Sequence, residues 1–143
     1  EKIMRIKPNR FILALFLSIF LLSGCSTQEE ITYLSSEESA QIALSTDPIA
    51  QNIITAIYTN DYSLFISDFD DKMQEAINEE QFEAIVKLYG KNGAAESILL
   101  LTVEDRDPFL RANYGVTYTD ASLTMRIVVS KTDPSMVTGL WFN

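Results

Sequence analysis

The period of the apolar residues changes near Gly93, and nothing else in the sequence limits the fold as strongly. Before that point apolar side chains recur at helical spacing. Ile49, Ile53, Ala56 and Ile57 line one face, and Phe65, Phe69, Met73 and Ile77 recur every fourth residue. Phe82, Ile85, Val86 and Tyr89 form a third stripe. After it the period is two. Tyr114, Val116 and Tyr118 alternate with polar or small neighbours, as do Leu123, Met125, Ile127 and Val129, and then Met136, Leu140 and Phe142. Helical and extended patterns are not interchangeable, because one repeats every 3.6 residues and the other every two. Helices followed by adjacent strands predict an α+β domain, with N-terminal helices packed on one curved antiparallel sheet of about four strands.

Local signals set the expected boundaries. Asp47-Pro48 predicts a helix start, with Asp as cap and Pro at the first helical position. Residues 37–44 predict no more than a turn or two of helix. Asn60-Asp61 predicts a stop, and Asp70-Asp71 a break in the second helical stretch. Asn78 with Gln81 predicts a capping box, and Gly90 to Gly93 the end of that helix. The run Ile98-Leu99-Leu100-Leu101 predicts a buried strand over 97–104. Thr119-Asp120 and residues 131–134 predict the turns between later strands.

The N-terminus reads differently. Lys2, Arg5, Lys7 and Arg10 lead into twelve uncharged residues, 11–22, too few to span a bilayer comfortably. Leu22, Ser23, Gly24 and Cys25 follow. A basic tip, a short apolar run and small residues describe a signal peptide. With cysteine next, the segment resembles the lipobox of prokaryotic lipoproteins. The resemblance implies cleavage after Gly24 and acyl chains on Cys25, which hold the mature chain in a membrane through buried methylenes. Residues 1–24 are thus expected to be a signal peptide, and 25–36 a lipidated cysteine and flexible linker. Residues 37–143 are expected to form the folded domain. The first residue is Glu rather than Met, so the true start is expected to lie upstream or to be misassigned.

The chain carries a net charge of −9, and removing the basic tip leaves the rest more acidic still. Such a body is expected to repel nucleic-acid phosphates and anionic head groups, so no nucleic-acid partner is expected. One cysteine and no histidine rule out an intrachain disulfide and any triad built on a histidine base. No metal or other cofactor is expected.

Several phrases carry a further resemblance: Asn60-Asp61-Tyr62, Asp68-Phe69-Asp70-Asp71-Lys72-Met73, Leu88-Tyr89-Gly90 and Gly139-Leu140-Trp141-Phe142. Over about residues 48–143 the chain is similar to the family catalogued as domain of unknown function 3887, within the nuclear transport factor 2-like (cystatin-like) superfold. The resemblance implies a roll whose helices and curved sheet enclose a cone, and an envelope setting. It implies no reaction.

Asp68, Asp70 and Asp71 lack the spacing and glycine of a calcium loop, and capping with a solvated face explains them. Glu104-Asp105-Arg106-Asp107-Pro108 pairs carboxylates with an arginine as a general base would need, yet a proline-containing turn accounts for the same residues. Tyr114, Tyr118, Arg126 and Trp141 are the candidate pocket or interface residues, with no catalytic residue assigned. The expected function is that of an extracytoplasmic lipoprotein, anchored to the cell membrane or envelope through Cys25, with a small non-catalytic ligand- or protein-binding domain. Two alternatives stand beside it: a small isomerase- or cyclase-like enzyme using a pocket carboxylate, and a structural homodimerisation module. Partners are accordingly the membrane, a second copy or another envelope protein.

Overall fold

The first helix begins a dozen residues before Asp47-Pro48. In the computed structural model, which describes residues 31–143, α1 runs Ser36–Thr59. Ser35 accepts from the Glu38 amide, and the Glu38 side chain accepts from the Ser35 amide, closing a capping box. Pro48 therefore lies inside the helix, where it cannot donate to the Leu44 carbonyl. Leu44 and Pro48 are both exposed, so water can reach the carbonyl that the proline leaves free. The segment 37–44 is helical throughout. Leu22, Ser23, Gly24 and Cys25 lie outside the described residues, as does the first half of the expected linker, residues 25–30.

Asn60 ends α1 in the left-handed conformation, as Asn60-Asp61 predicted. Asp61 caps the short α2, Tyr62–Phe65, and Asp70 caps α3, Asp71–Ala76, so the second helical stretch is broken where the paired aspartates stand. Asn78 and Gln81 form the predicted capping box at the start of α4, Glu79–Tyr89, and a 3-10 turn over Gly90–Asn92 follows.

The sheet has five strands rather than about four, in the order β1-β2-β3-β4-β5, all neighbours antiparallel. The extra one is β1, Thr32–Tyr33, two residues from the end of the expected linker that pair with Glu104 and Asp105. The others are β2 Ser97–Arg106, β3 Phe109–Thr117, β4 Ser122–Ser130 and β5 Val137–Phe142. The helices cover one face. Ile49, Ile53 and Ile57 of α1 pack with Phe65, Phe69 and Phe82 against Val103, Tyr114, Met125, Ile127 and Val129. Phe65 lies at the centre of the aromatic group, 5.1 Å from Phe69 and 4.7 Å from Phe82 between ring centres.

Two irregularities change which residues point inward. The β2–β3 register shifts between Leu100 and Thr102, making Leu101 the extra residue. Leu99 and Leu101 are consequently 62% and 59% exposed on the uncovered face, and the run 98–101 is not a buried strand. A second shift, between Val128 and Val129, places Thr138 as the extra residue and turns Val137 inward with Leu140 and Phe142. Val137 also exchanges backbone bonds with Asp68 and Asp70, which fixes the segment before α3 to the edge of β5.

One polar contact joins the two layers deep in the core. Tyr114, 1% exposed, donates from its hydroxyl to Asp47 Oδ1 at 2.7 Å. The Tyr114 hydroxyl oxygen also lies 2.7 Å from Thr46 Oγ1, whose single proton is shared between Tyr114 and the Ile42 carbonyl. Burial, opposed by the Thr46 contact and reinforced by Asp47, holds the phenol protonated well above its ordinary range. Removing the hydroxyl with Tyr114→Phe keeps the packing and loses the tie between α1 and β3. It is expected to cost about 1–2 kcal/mol in urea unfolding, with no change in the slope of the transition.

Candidate functional site

The four candidate residues divide between the faces. Tyr114 and Tyr118 point inward and are buried in the core, so neither lines a surface with Trp141. Arg126 and Trp141 point outward and stand directly opposite each other across β4 and β5. Asn113 is opposite Arg126 on the other side, and Arg111 is its diagonal neighbour on β3. Arg111, Arg126 and Trp141 line a depression of about 290 Å³. A second, of about 600 Å³, lies beyond the indole, floored by Phe109 and Val128 and rimmed by Asp70, Asp71 and Lys72.

Trp141 is 54% exposed but does not stand free of the sheet. Its ring lies over Gly139: a Cβ built there would come within 2.7 Å of two indole carbons. Leu101 similarly lies over Gly115, where an added Cβ would approach it at 3.3 Å. Each glycine lets a large apolar side chain lie flat on the sheet. The indole thereby becomes a wall between the arginine depression and the apolar one.

Glu104 is at the other side of this face and is largely buried. It accepts from Arg106 Nε at 3.0 Å, Arg111 Nη1 at 3.2 Å and Asn113 Nδ2 at 3.0 Å. Burial pushes its carboxyl up, but the bonds from Asn113 and Arg106 and the charges of the two arginines outweigh that, and its pKa is lowered. It is therefore a carboxylate held ionised, unlike a general base poised near neutrality. Among the described residues Arg126 has no carboxylate partner; Asn143 Oδ1 accepts from its Nη2 at 3.3 Å in the amide orientation that satisfies both groups.

The remaining acidic motifs have structural roles. Asp70 accepts from the Met73 amide, and Asp68 from Asn52 Nδ2. Asp105 and Asp107 both pair with Lys131, which ties the β2–β3 turn to the end of β4. Among the described residues no group of three His, Cys, Asp or Glu could hold a metal ion, and no helix is long and apolar enough to cross a membrane.

Arg111, Phe109, Leu99 and Leu101 belong to the same face, although sequence reasoning did not select them. The signal for Phe109 and Arg111 was the alternation of 109–117, which assigns them and Asn113 to the side away from Leu110, Ala112 and Tyr114; the uniform run 98–101 carried none for Leu99 and Leu101. No family model, curated protein or solved structure matches the chain.

Gly139→Ala tests the cradle. The methyl group is expected to lift the indole from the sheet, shift the emission of the chain's single tryptophan to longer wavelength, and cost about 1 kcal/mol. Unchanged emission would show that the ring does not rest on Gly139.

Proposed function

We propose that this is an extracytoplasmic lipoprotein, held in a membrane through Cys25, whose domain works by binding at the outer face of its sheet rather than by catalysis. The observation that carries the binding reading is the division of the sheet. Its inner face is filled by Tyr114, Met125, Ile127 and the phenylalanines, whereas Arg111, Arg126, Trp141, Phe109, Leu99 and Leu101 are presented together on the other. A catalytic cone would call for a carboxylate directed into an apolar interior. The carboxylates nearest to that description are Glu104, which is ionised and paired with two arginines on the outer face, and Asp47, which is exposed and bonded to Tyr114.

The anchor is supported by the order of its parts: basic tip, uncharged run, Leu22-Ser23-Gly24 and then Cys25. We read the helices followed by an antiparallel meander as a nuclear transport factor 2-like roll. We read the phrases from Asn60 to Phe142 as those of the domain of unknown function 3887 family.

Mass spectrometry of material from the native host is expected to find a chain beginning at Cys25 and carrying a thioether-linked diacylglycerol. An intact leader with a free thiol would overturn the anchor. Sustained turnover of a substrate, abolished by Asp47→Asn, would overturn the binding reading.

A further inference from the structure

The charges of the described chain are segregated by layer. From Glu37 to Glu83 the helices are strongly acidic, with only Lys72 as a cation in that stretch. The sheet's outer face is the reverse. The three described arginines, Arg106, Arg111 and Arg126, all lie at outward strand positions, and Glu104 is the only carboxylate at such a position. The same face carries the large apolar side chains that the fold leaves exposed on its sheet: Tyr33, Leu99, Leu101, Phe109 and Trp141.

The chain enters at this face. Tyr33 is opposite Glu104, and the exposed Ile31 comes two residues earlier. Cys25 precedes Ile31 by six residues, a reach of at most about 20 Å when fully extended. An anchor at Cys25 therefore keeps the domain close to the head groups and attaches it at the β1 edge of the sheet.

We propose that the outer sheet face rests on an anionic phospholipid bilayer, with Tyr33, Phe109 and Trp141 at head-group level, Arg126 on a lipid phosphate, and Arg111 beside it adding positive charge while it stays bonded to Glu104. The inference depends on the anchor proposed above. Tryptophan and tyrosine favour the membrane interface because one part of each ring system is apolar and another bonds to water. Arginine places its apolar stem along such a surface and its fork on phosphate. The acidic average of the whole chain argues for repulsion, but attraction is set by the charges nearest the surface, since screening acts over about 8 Å in physiological salt. The acidic helices lie behind the sheet, on its covered face. Asp70 and Asp71 come nearest, at the rim beyond Trp141, beside Lys72. A second copy fits this face less well, because a two-fold pairing sets the same arginine-bearing surface against itself.

Trp141 is the only tryptophan, so its emission reads this face alone. The full chain from its native host is reconstituted into phosphatidylcholine vesicles with or without phosphatidylglycerol, their acyl chains brominated or not. Flotation reports anchoring separately. In the anionic vesicles bromine is expected to quench Trp141 about twofold, with most of that effect absent in phosphatidylcholine alone and in Arg126→Glu. The lipid comparison requires no variant and stands even if Arg126→Glu fails to fold. Vesicles that float with the chain while Trp141 is unquenched would overturn the docking and leave the anchor intact. A chain that does not float and has a free Cys25 thiol would overturn the anchor and, with it, the docking. Quenching that is equal in both lipids would overturn the role of the arginines. A dimer by sedimentation, with Trp141 emission unchanged on adding vesicles, would assign the face to a second copy and overturn the proposal.

Discussion

A β-strand sends successive side chains to opposite faces, so a sheet covered by helices on one side commits the other half of its residues to solvent. In this chain α1 supplies most of the cover, and its Ile49, Ile53 and Ile57 meet Val103, Tyr114 and Ile127 in a layer that excludes water. The layer is mostly apolar, and within it the hydroxyl of Tyr114 reaches Thr46 and Asp47 and fixes where along α1 the sheet packs. Moving β2, β3 or β4 by one residue would expose its core side chains and bury its arginine. Register is therefore held by both faces at once.

The outer face shows what that commitment leaves over. A sheet that met only water would be expected to present short polar side chains there, and Ser122, Thr124 and Ser130 of β4 do so. Trp141, Phe109, Leu99 and Leu101 do not, and two of them lie flat over glycines where any larger residue would interfere. The bulge at Leu101 contributes by adding a second outward leucine to β2. Glu104 draws Arg106 and Arg111 onto its own carboxylate, while Arg126 is left with an amide. Cationic and aromatic side chains thus share one surface of an acidic chain.

Much of the architecture was legible because it depends on period. The stripes at 49–57 and 82–89 and the alternation at 123–129 each occur as helix or strand, and the caps at Asn60 and Asn78 act at the residues that carry the signal. The errors have physical causes. Asp47-Pro48 mimics a helix start, but Pro48 stands inside α1 on an exposed face, and the operative box was Ser35 with Glu38. Two residues of β1 are too few to show a pattern. A run of four apolar residues does not distinguish a strand buried on both faces from a bulged strand with two leucines outside. Tyr114, Tyr118, Arg126 and Trp141 stand in the sequence as one candidate set, but the two tyrosines share the parity of the buried Val116 and lie on the opposite face from Arg126 and Trp141. Net charge, being a single number, could not reveal that the described arginines lie on one side.

In the proposed docking the sheet's outer face, rather than the helical layer, meets the membrane. Hydroxyl-radical footprinting of the anchored chain on anionic vesicles, compared with the same chain released by cleavage before Ile31, measures it directly. Tyr33, Phe109 and Trp141 should lose reactivity on the vesicles, while Tyr58 and Leu88, comparably exposed on the helices, keep theirs. Protection of Tyr58 and Leu88 with Trp141 unaffected would contradict the account.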